Sequence, residues 1–184
     1  LYGSVELTPT GAFEARSLQS FTLVFTVGRF GIDDTGAIKL VHRFPNDWGQ
    51  LQFHDPRAVN YITATASNGT PLTVAYRAGG EQRPWFRSLT IGVKGGCLRE
   101  GDTITVEFGD RSQGSAGLQL QTFCESGFEF KVLADGASIR DYIRNTSDTF
   151  EITPHIRFGR KTLNADWSAE QQCWTVSMVN EDNG

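Results

Sequence analysis

Apolar and polar residues alternate in short runs along most of this chain. The runs are "SFTLVFTV" (20–27), "AIKLVHRF" (37–44), "NYITATAS" (60–67), "LTVAYR" (72–77), "SLTIGV" (88–93), "TITVEFG" (103–109), "LQLQTF" (118–123), "FEFKVL" (128–133), "TFEITPHIRF" (149–158) and "CWTVSMV" (173–179). Turn-forming clusters separate them: "DDTG", "SNGTP", "AGGEQRP", "GGCLREGD" and "GDRSQGSAG". Many short strands punctuated by Gly, Asp and Asn predict an all-β chain, an antiparallel β-sandwich of immunoglobulin-like or jelly-roll-like kind. In "TITVEFG", Ile104, Val106 and Phe108 alternate with Thr103, Thr105 and Glu107, the pattern of one buried and one wet face. Asn68-Gly69 suits a type I′ turn and predicts a hairpin over residues 60–77. Only "SIRDYIRN" (138–145) has helical spacing, with Ser138 as a candidate N-cap.

These elements divide into a β-sandwich domain over residues 1–136, a connector with one short helix over 137–147, and residues 148–184. The last segment reads as the incomplete start of a second β-domain or as strands packing back on the first. Its "CWTVSMVN" run leads into an Asp-Asn-Gly turn with no following strand, so the chain is expected to be a fragment of something longer.

Composition adds limits. A domain of this size buries roughly 70% of its unfolded surface and folds without a disulfide or metal staple. The net charge of −4, with mixed signs, argues against nucleic acid as a partner. No apolar run reaches the ~20 residues of a membrane span. The cysteines, Cys97, Cys124 and Cys173, have no C-x-x-C spacing and leave one over after any pairing. That favours a reducing compartment such as the bacterial cytoplasm. The chain starts at Leu1, so a leader removed on export is also compatible. Cys97 and Cys124 read as small packed residues.

The chemistry-bearing residues gather in two places. "RFGIDDTGAIKLVHRFPNDWGQLQFHDP" (29–56) holds Asp33, Asp34, Asp47 and Asp55 with His42, His54 and Trp48. Calcium is the metal such oxygen donors accept, but EF-hand spacing is absent and "IDDTG" is sound turn chemistry, so no metal ligand and no cofactor is assigned. His42 falls on the same strand face as Leu40 and Phe44, where a satisfied core histidine is expected. "RAGGEQRPWFRS" (77–88) sets Arg83 and Arg87 around Trp85, groups able to hold a carboxylate, a phosphate or a sugar. The competing reading is a loop whose Trp packs inward while its arginines reach solvent. The candidate binding residues are therefore Asp47, Trp48, His54, Asp55, Arg83, Trp85 and Arg87. No catalytic residue is assigned: H-E-x-x-H, the P-loop and G-x-S-x-G are all missing.

The strings "FTVGRFGIDDTGAIKLVHRFPNDWGQLQFHDPRAVNYITATASNG" and "LREGDTITVEFGDRSQGSAGLQLQTFCESGFEFKVLADG" resemble the N-terminal β-domain of a large bacterial family. Its longer members look like PHP-type metal-dependent hydrolases. The likeness covers roughly residues 1–136 and implies a β-sandwich whose partner is a catalytic domain or the remainder of a larger polypeptide. It transfers no catalytic residue, because the hydrolase-like region has no counterpart here. The expected function is a non-catalytic scaffold or accessory portion of a larger, hydrolase-like protein. One alternative is a binding module for a small anionic or carbohydrate ligand; another is a stand-alone metal-dependent enzyme.

Overall fold

A computed structural model describes residues 2–43, 46–79, 85–135, 146–155 and 159–180. The chain separates into two compact units, Leu1–Arg140 and Asp141–Gly184.

The first unit is an antiparallel β-sandwich. One four-stranded sheet runs in the order β1 (Gly3–Thr8), β3 (Phe21–Val27), β8 (Thr103–Phe108), β5 (Ile62–Ala66). The other runs β10 (Phe130–Asp135), β4 (Ala37–Arg43), β7 (Trp85–Val93), β6 (Leu72–Arg77). A two-residue rung pairs β2 (Leu18–Gln19) with β9 (Leu118–Gln119).

Alternation along the strands dictates this arrangement, because a strand can bury only every second side chain against a facing layer. In β8, Ile104, Val106 and Phe108 are buried, while Thr103, Thr105 and Glu107 lie on the other face and are partly exposed. Glu107 there accepts a hydrogen bond from Thr22 Oγ1 at 2.7 Å. Across β3 and β8 the inward pairs are Phe25–Ile104, Leu23–Val106 and Phe21–Phe108. The second sheet contributes Ile38–Ile91 and Leu40–Leu89 across β4 and β7. These side chains form one continuous core. The next pair in that row, His42–Arg87, puts two polar residues where the pattern wants apolar ones.

Three local expectations need correction. Residues 60–77 are no hairpin: β5 pairs with β8 and β6 with β7, so the chain crosses between sheets at Asn68-Gly69. Gly69 has a positive φ of 76° but Asn68 does not, whereas a type I′ turn needs both. Asn68 instead accepts Thr70 N–H at 3.0 Å and donates to the Cys97 carbonyl, and Pro71 supplies no ladder donor. "LQLQTF" keeps only Leu118–Gln119 as strand. Within "TFEITPHIRF", Thr153–His155 form a 3₁₀ turn, because Glu151 has φ 53° and Pro154 lacks an N–H. The strands β1 and β2, and Arg160–Ser168 in the second unit, lay outside the alternating runs.

The helix expected at 138–145 lies outside the described residues, as does Phe44; residues 146–149 are helical. In the second unit, β11 (Arg160–Ser168) and β12 (Cys173–Asn180) form an antiparallel ribbon, with a register shift between Thr162 and Asn164. Trp167 and Trp174 stand directly opposite, ring centroids 5.5 Å apart, and are 51% and 62% exposed.

Candidate functional site

Three acids of the 29–56 window, Asp34, Asp47 and Asp55, each tie down a different piece of backbone. Asp34 accepts N–H bonds from Thr35 at 3.0 Å and Gly95 at 2.6 Å. Asp55 accepts Arg57 N–H at 2.9 Å. Asp47 reaches across to Thr122, accepting its N–H at 2.9 Å and its hydroxyl at 2.5 Å. Those two bonds hold the Asp47 carboxyl below the usual carboxylate range. His54 is exposed beside Phe53, and its backbone N–H, like that of Asp55, donates to Gln52 Oε1. Among the described residues no group of three His, Cys, Asp or Glu could hold a metal ion.

Trp48 behaves differently. It is 4% exposed and sits amid rings: Phe128 at 5.1 Å, nearly parallel, Phe130 at 5.3 Å and His42 at 4.8 Å. Arg87 Nη1 donates to the Trp48 carbonyl at 3.4 Å. The structure therefore joins the two sequence clusters through Trp48 and Arg87, one guanidinium nitrogen turning to the Trp48 backbone.

His42, 3% exposed, lies between them. Asn46 Nδ2 faces its Nδ1 at 2.6 Å and also donates to the Arg43 carbonyl, an arrangement that would set oxygen against oxygen if the amide were turned over. The network thus assigns Nδ1 as acceptor and Nε2 as the protonated nitrogen. Burial and the charge of Arg87 push the His42 pKa from 6.5 to about 4. The core-histidine expectation holds for its place beside Leu40, although its Nε2 has no hydrogen-bond partner among the described residues.

Beside this cluster a cleft of about 580 Å³ opens at the end of the sandwich. Leu7, Phe21 and the 9–15 segment form one wall, residues 120–128 the other, and Trp48 and Phe130 also line it. Phe13, Phe123 and Phe128 are 36%, 41% and 37% exposed, so three rings are accessible. Volumes of roughly 300–1,000 Å³ with apolar walls and few polar groups are usual for small-molecule sites. Two lining residues carry buried polar atoms with no partner among the described residues, Trp48 Nε1 and Gln121 Oε1. Gln121 is 8% exposed, and its Nε2 donates to the Phe123 carbonyl at 3.2 Å and to Glu125 at 3.1 Å, which fixes the oxygen as the free end. An unmade buried bond of this kind costs about 1–3 kcal/mol. Among the described residues, Glu125 is the one charged residue lining the cleft.

Of the residues singled out from sequence, Trp48 lines the cleft and Asp47 anchors its 120–128 wall through Thr122. Arg87 braces Trp48 from behind. Trp85 is half-buried with Lys131 Nζ 4.4 Å over its ring, His54 and Asp55 belong to the Gln52 turn, and Arg83 lies outside the described residues. Sequence reasoning missed Gln121, Phe13, Phe123 and Phe128. Their signal was the break in alternation at "TFCESGFEF", where Phe residues flank Ser and Gly. The packed-residue reading of Cys97 and Cys124 is corrected: both thiols are exposed, Cys124 at the cleft, because each sits in a loop beyond the reach of the core.

No family model matches the chain. A stretch of 56 residues is 48% identical to the putative FAD-containing monooxygenase MymA of Mycobacterium tuberculosis, 30% of this chain and 11% of that protein. Another comparison, over 58 residues at 39% identity, is with the FAD-containing monooxygenase EthA of the same organism, 28% of this chain and 12% of that protein. The match thus spans about a tenth of these curated relatives. Among solved structures, the CBM3a-L domain of the scaffoldin CipA from the Clostridium thermocellum cellulosome superposes with a TM-score of 0.38 at 15% identity, covering 73% of this chain and 86% of that one. A CBM3 of Hungateiclostridium clariflavum gives 0.33 at 10% identity, covering 73% and 94%. Superpositions this loose carry no inference about ligands. Among the described residues, no helix is long and apolar enough to cross a membrane.

Proposed function

We propose that this chain is a non-catalytic β-sandwich binding module whose cleft takes a small, neutral, carbohydrate-like ligand. The observation that carries the reading is the set of three partly exposed aromatic rings, Phe13, Phe123 and Phe128, lining one cavity. A pyranose offers an apolar C–H face that stacks on such rings. An anion fits less well, since no cation among the described residues lines the cleft and Glu125 would repel it. Nor do the described lining residues offer a nucleophile held by a base, as covalent catalysis needs: Glu125, the acid among them, accepts from Gln121. Calorimetric titration of the purified chain against a panel of neutral disaccharides, phosphates and carboxylates tests this. Saturable binding of a neutral sugar that Phe128→Ala weakens at least about tenfold is expected, in line with loss of a stacking ring. Binding confined to anions, or unaffected by loss of the ring, would overturn it.

A second reading, as an accessory portion of a larger and hydrolase-like polypeptide, is favoured by the exposed apolar face of the β11–β12 ribbon. Trp167, Trp174, Val176 and Met178 are all more than 40% exposed, and a two-stranded ribbon needs a surface to bury against. The flavin of the partly matching monooxygenases has no dinucleotide loop to sit on here, because no two glycines of this chain stand as G-x-G.

A further inference from the structure

We propose that Asn68 is a deamidation site that the native fold holds shut, and that loss of its amide after the crossing opens makes the opening one-way. Asn68 is followed by Gly69, which puts no side chain beside its own backbone nitrogen. That nitrogen can attack the Asn68 side-chain carbonyl carbon. Its proton passes to water, the Cγ–Nδ2 bond breaks as the new N–Cγ bond forms, and ammonia leaves behind a cyclic imide. Water then opens the imide at either carbonyl, giving Asp or isoAsp in place of Asn, with no change of oxidation state.

In the folded chain each hydrogen-bonding group in this step has a partner. Asn68 Nδ2 donates both its protons, to the Cys97 carbonyl at 3.0 Å and to Asp102 Oδ2 at 3.0 Å. Its Oδ1 accepts Thr70 N–H at 3.0 Å, and the attacking Gly69 N–H donates to the Ala66 carbonyl at 3.0 Å. The side chain must leave these partners before its carbon can turn to the Gly69 nitrogen, so the reaction belongs to the opened chain. The product cannot return to the same contacts. A carboxylate at position 68 has no proton for Cys97 or Asp102, and it meets the Asp102 carboxylate where an amide proton had been. Asp102 accepts Arg99 N–H at 2.8 Å and directly precedes β8, so the clash falls where β5 joins β8. A modification that only the open state undergoes and the closed state rejects converts a reversible opening into a permanent one.

The test follows conversion of Asn68 in the full chain at mildly alkaline pH, with and without guanidinium chloride, by mass spectrometry of the peptide that carries it. Mapping keeps it apart from the other Asn-Gly pair, Asn183-Gly184. Native conversion is expected to be at least about tenfold slower than in denaturant, the scale of one or two hydrogen bonds that must open first. Asp102→Ala should speed it in the native chain. Asn68→Asp should lower the folded-to-unfolded ratio at least about tenfold in a denaturant titration. Adding Asp102→Asn should restore stability, because the new amide donates to the carboxylate at 68 while its oxygen still accepts Arg99 N–H. Equal conversion with and without denaturant, or no conversion in either, overturns the site. Undiminished stability of Asn68→Asp, or no recovery in the double variant, overturns the one-way step. If Asn68→Asp does not fold, the double variant decides: recovery of the fold supports the clash, and failure overturns it.

Discussion

The ring of Phe128 lies 5.1 Å from that of Trp48 and 26° from parallel to it, so a partly exposed ring caps a buried one. Phe128→Ala should cost about 1–2 kcal/mol, the stacked contact plus some apolar area. Trp48→Ala should cost about 3–5 kcal/mol as a core deletion. Urea denaturation measures both. Equal losses would mean that Trp48 is not the structural floor of the cleft.

His42 makes stability depend on pH on the acid side. Its folded pKa of about 4 lies below the 6.5 of an unperturbed imidazole, so between those values the unfolded chain binds a proton that the folded chain refuses. Stability contributed by neutral His42 is complete above pH 6.5, falls as pH drops towards 4, and is lost below it, by ~3 kcal/mol in all. Arg87 is the charged neighbour that opposes protonation. A His42→Gln variant should show a flatter stability profile between pH 6.5 and 4 in a urea series; an unchanged slope would refute the assignment.

Asp47 and Thr122 join the segment carrying Trp48 to the 120–128 wall. Asp47→Ala should speed hydrogen exchange at the Thr122 amide and weaken ligand binding while leaving core amides such as Val106 protected. Because the folded pKa of Asp47 is depressed, its stabilising effect is present above the usual carboxylate pKa and is lost as pH falls through the folded value. Acidification should therefore loosen the Thr122 amide in the native chain and leave it unchanged in the Asp47→Ala variant.

Gly109 closes β8 against the β2–β9 rung. It has φ 65°, and a Cβ there would stand 2.2 Å from Leu118 N and 2.6 Å from the Gln19 carbonyl. Gly109→Ala should cost roughly 3 kcal/mol or more, combining backbone strain with a clash against main chain that cannot step aside. Gly69 is the control: its φ is 76° but the space around it is open, so Gly69→Ala should cost only about 1 kcal/mol. Thermal melts of the pair separate the two effects.

The sheets were legible because their strands alternate. Ile104, Val106 and Phe108 announced an inward face, and β6 coincides with "LTVAYR". Partner choice was not legible. Asn68-Gly69 looks the same in sequence whether it reverses one sheet or carries the chain to the other; the difference lies in its bonds to Cys97 and Asp102, made by a distant loop. The cleft was half legible. Trp48 stood out as an aromatic among acids, but the acids turned out to be loop ties, and Gln121, which lines the same cavity, did not stand out. A glutamine in an alternating run looks like an outward strand residue until the strand is seen to stop at Gln119.

The crossing at Asn68-Gly69 also sets an order of assembly. β6 and β7 are neighbours in the chain and can pair as soon as both exist, with β4 waiting to join them. β5 has no such neighbour: its partner β8 emerges only after β6 and β7, and β10, which covers the open edge of β4, comes later still. A chain emerging from the ribosome therefore carries β3 and β5 with unpaired backbone edges through much of its synthesis. Long-range pairing of this kind folds slowly and leaves strands open to other chains. The hazard for this protein lies in the nascent chain, before β8 arrives to bridge β3 and β5.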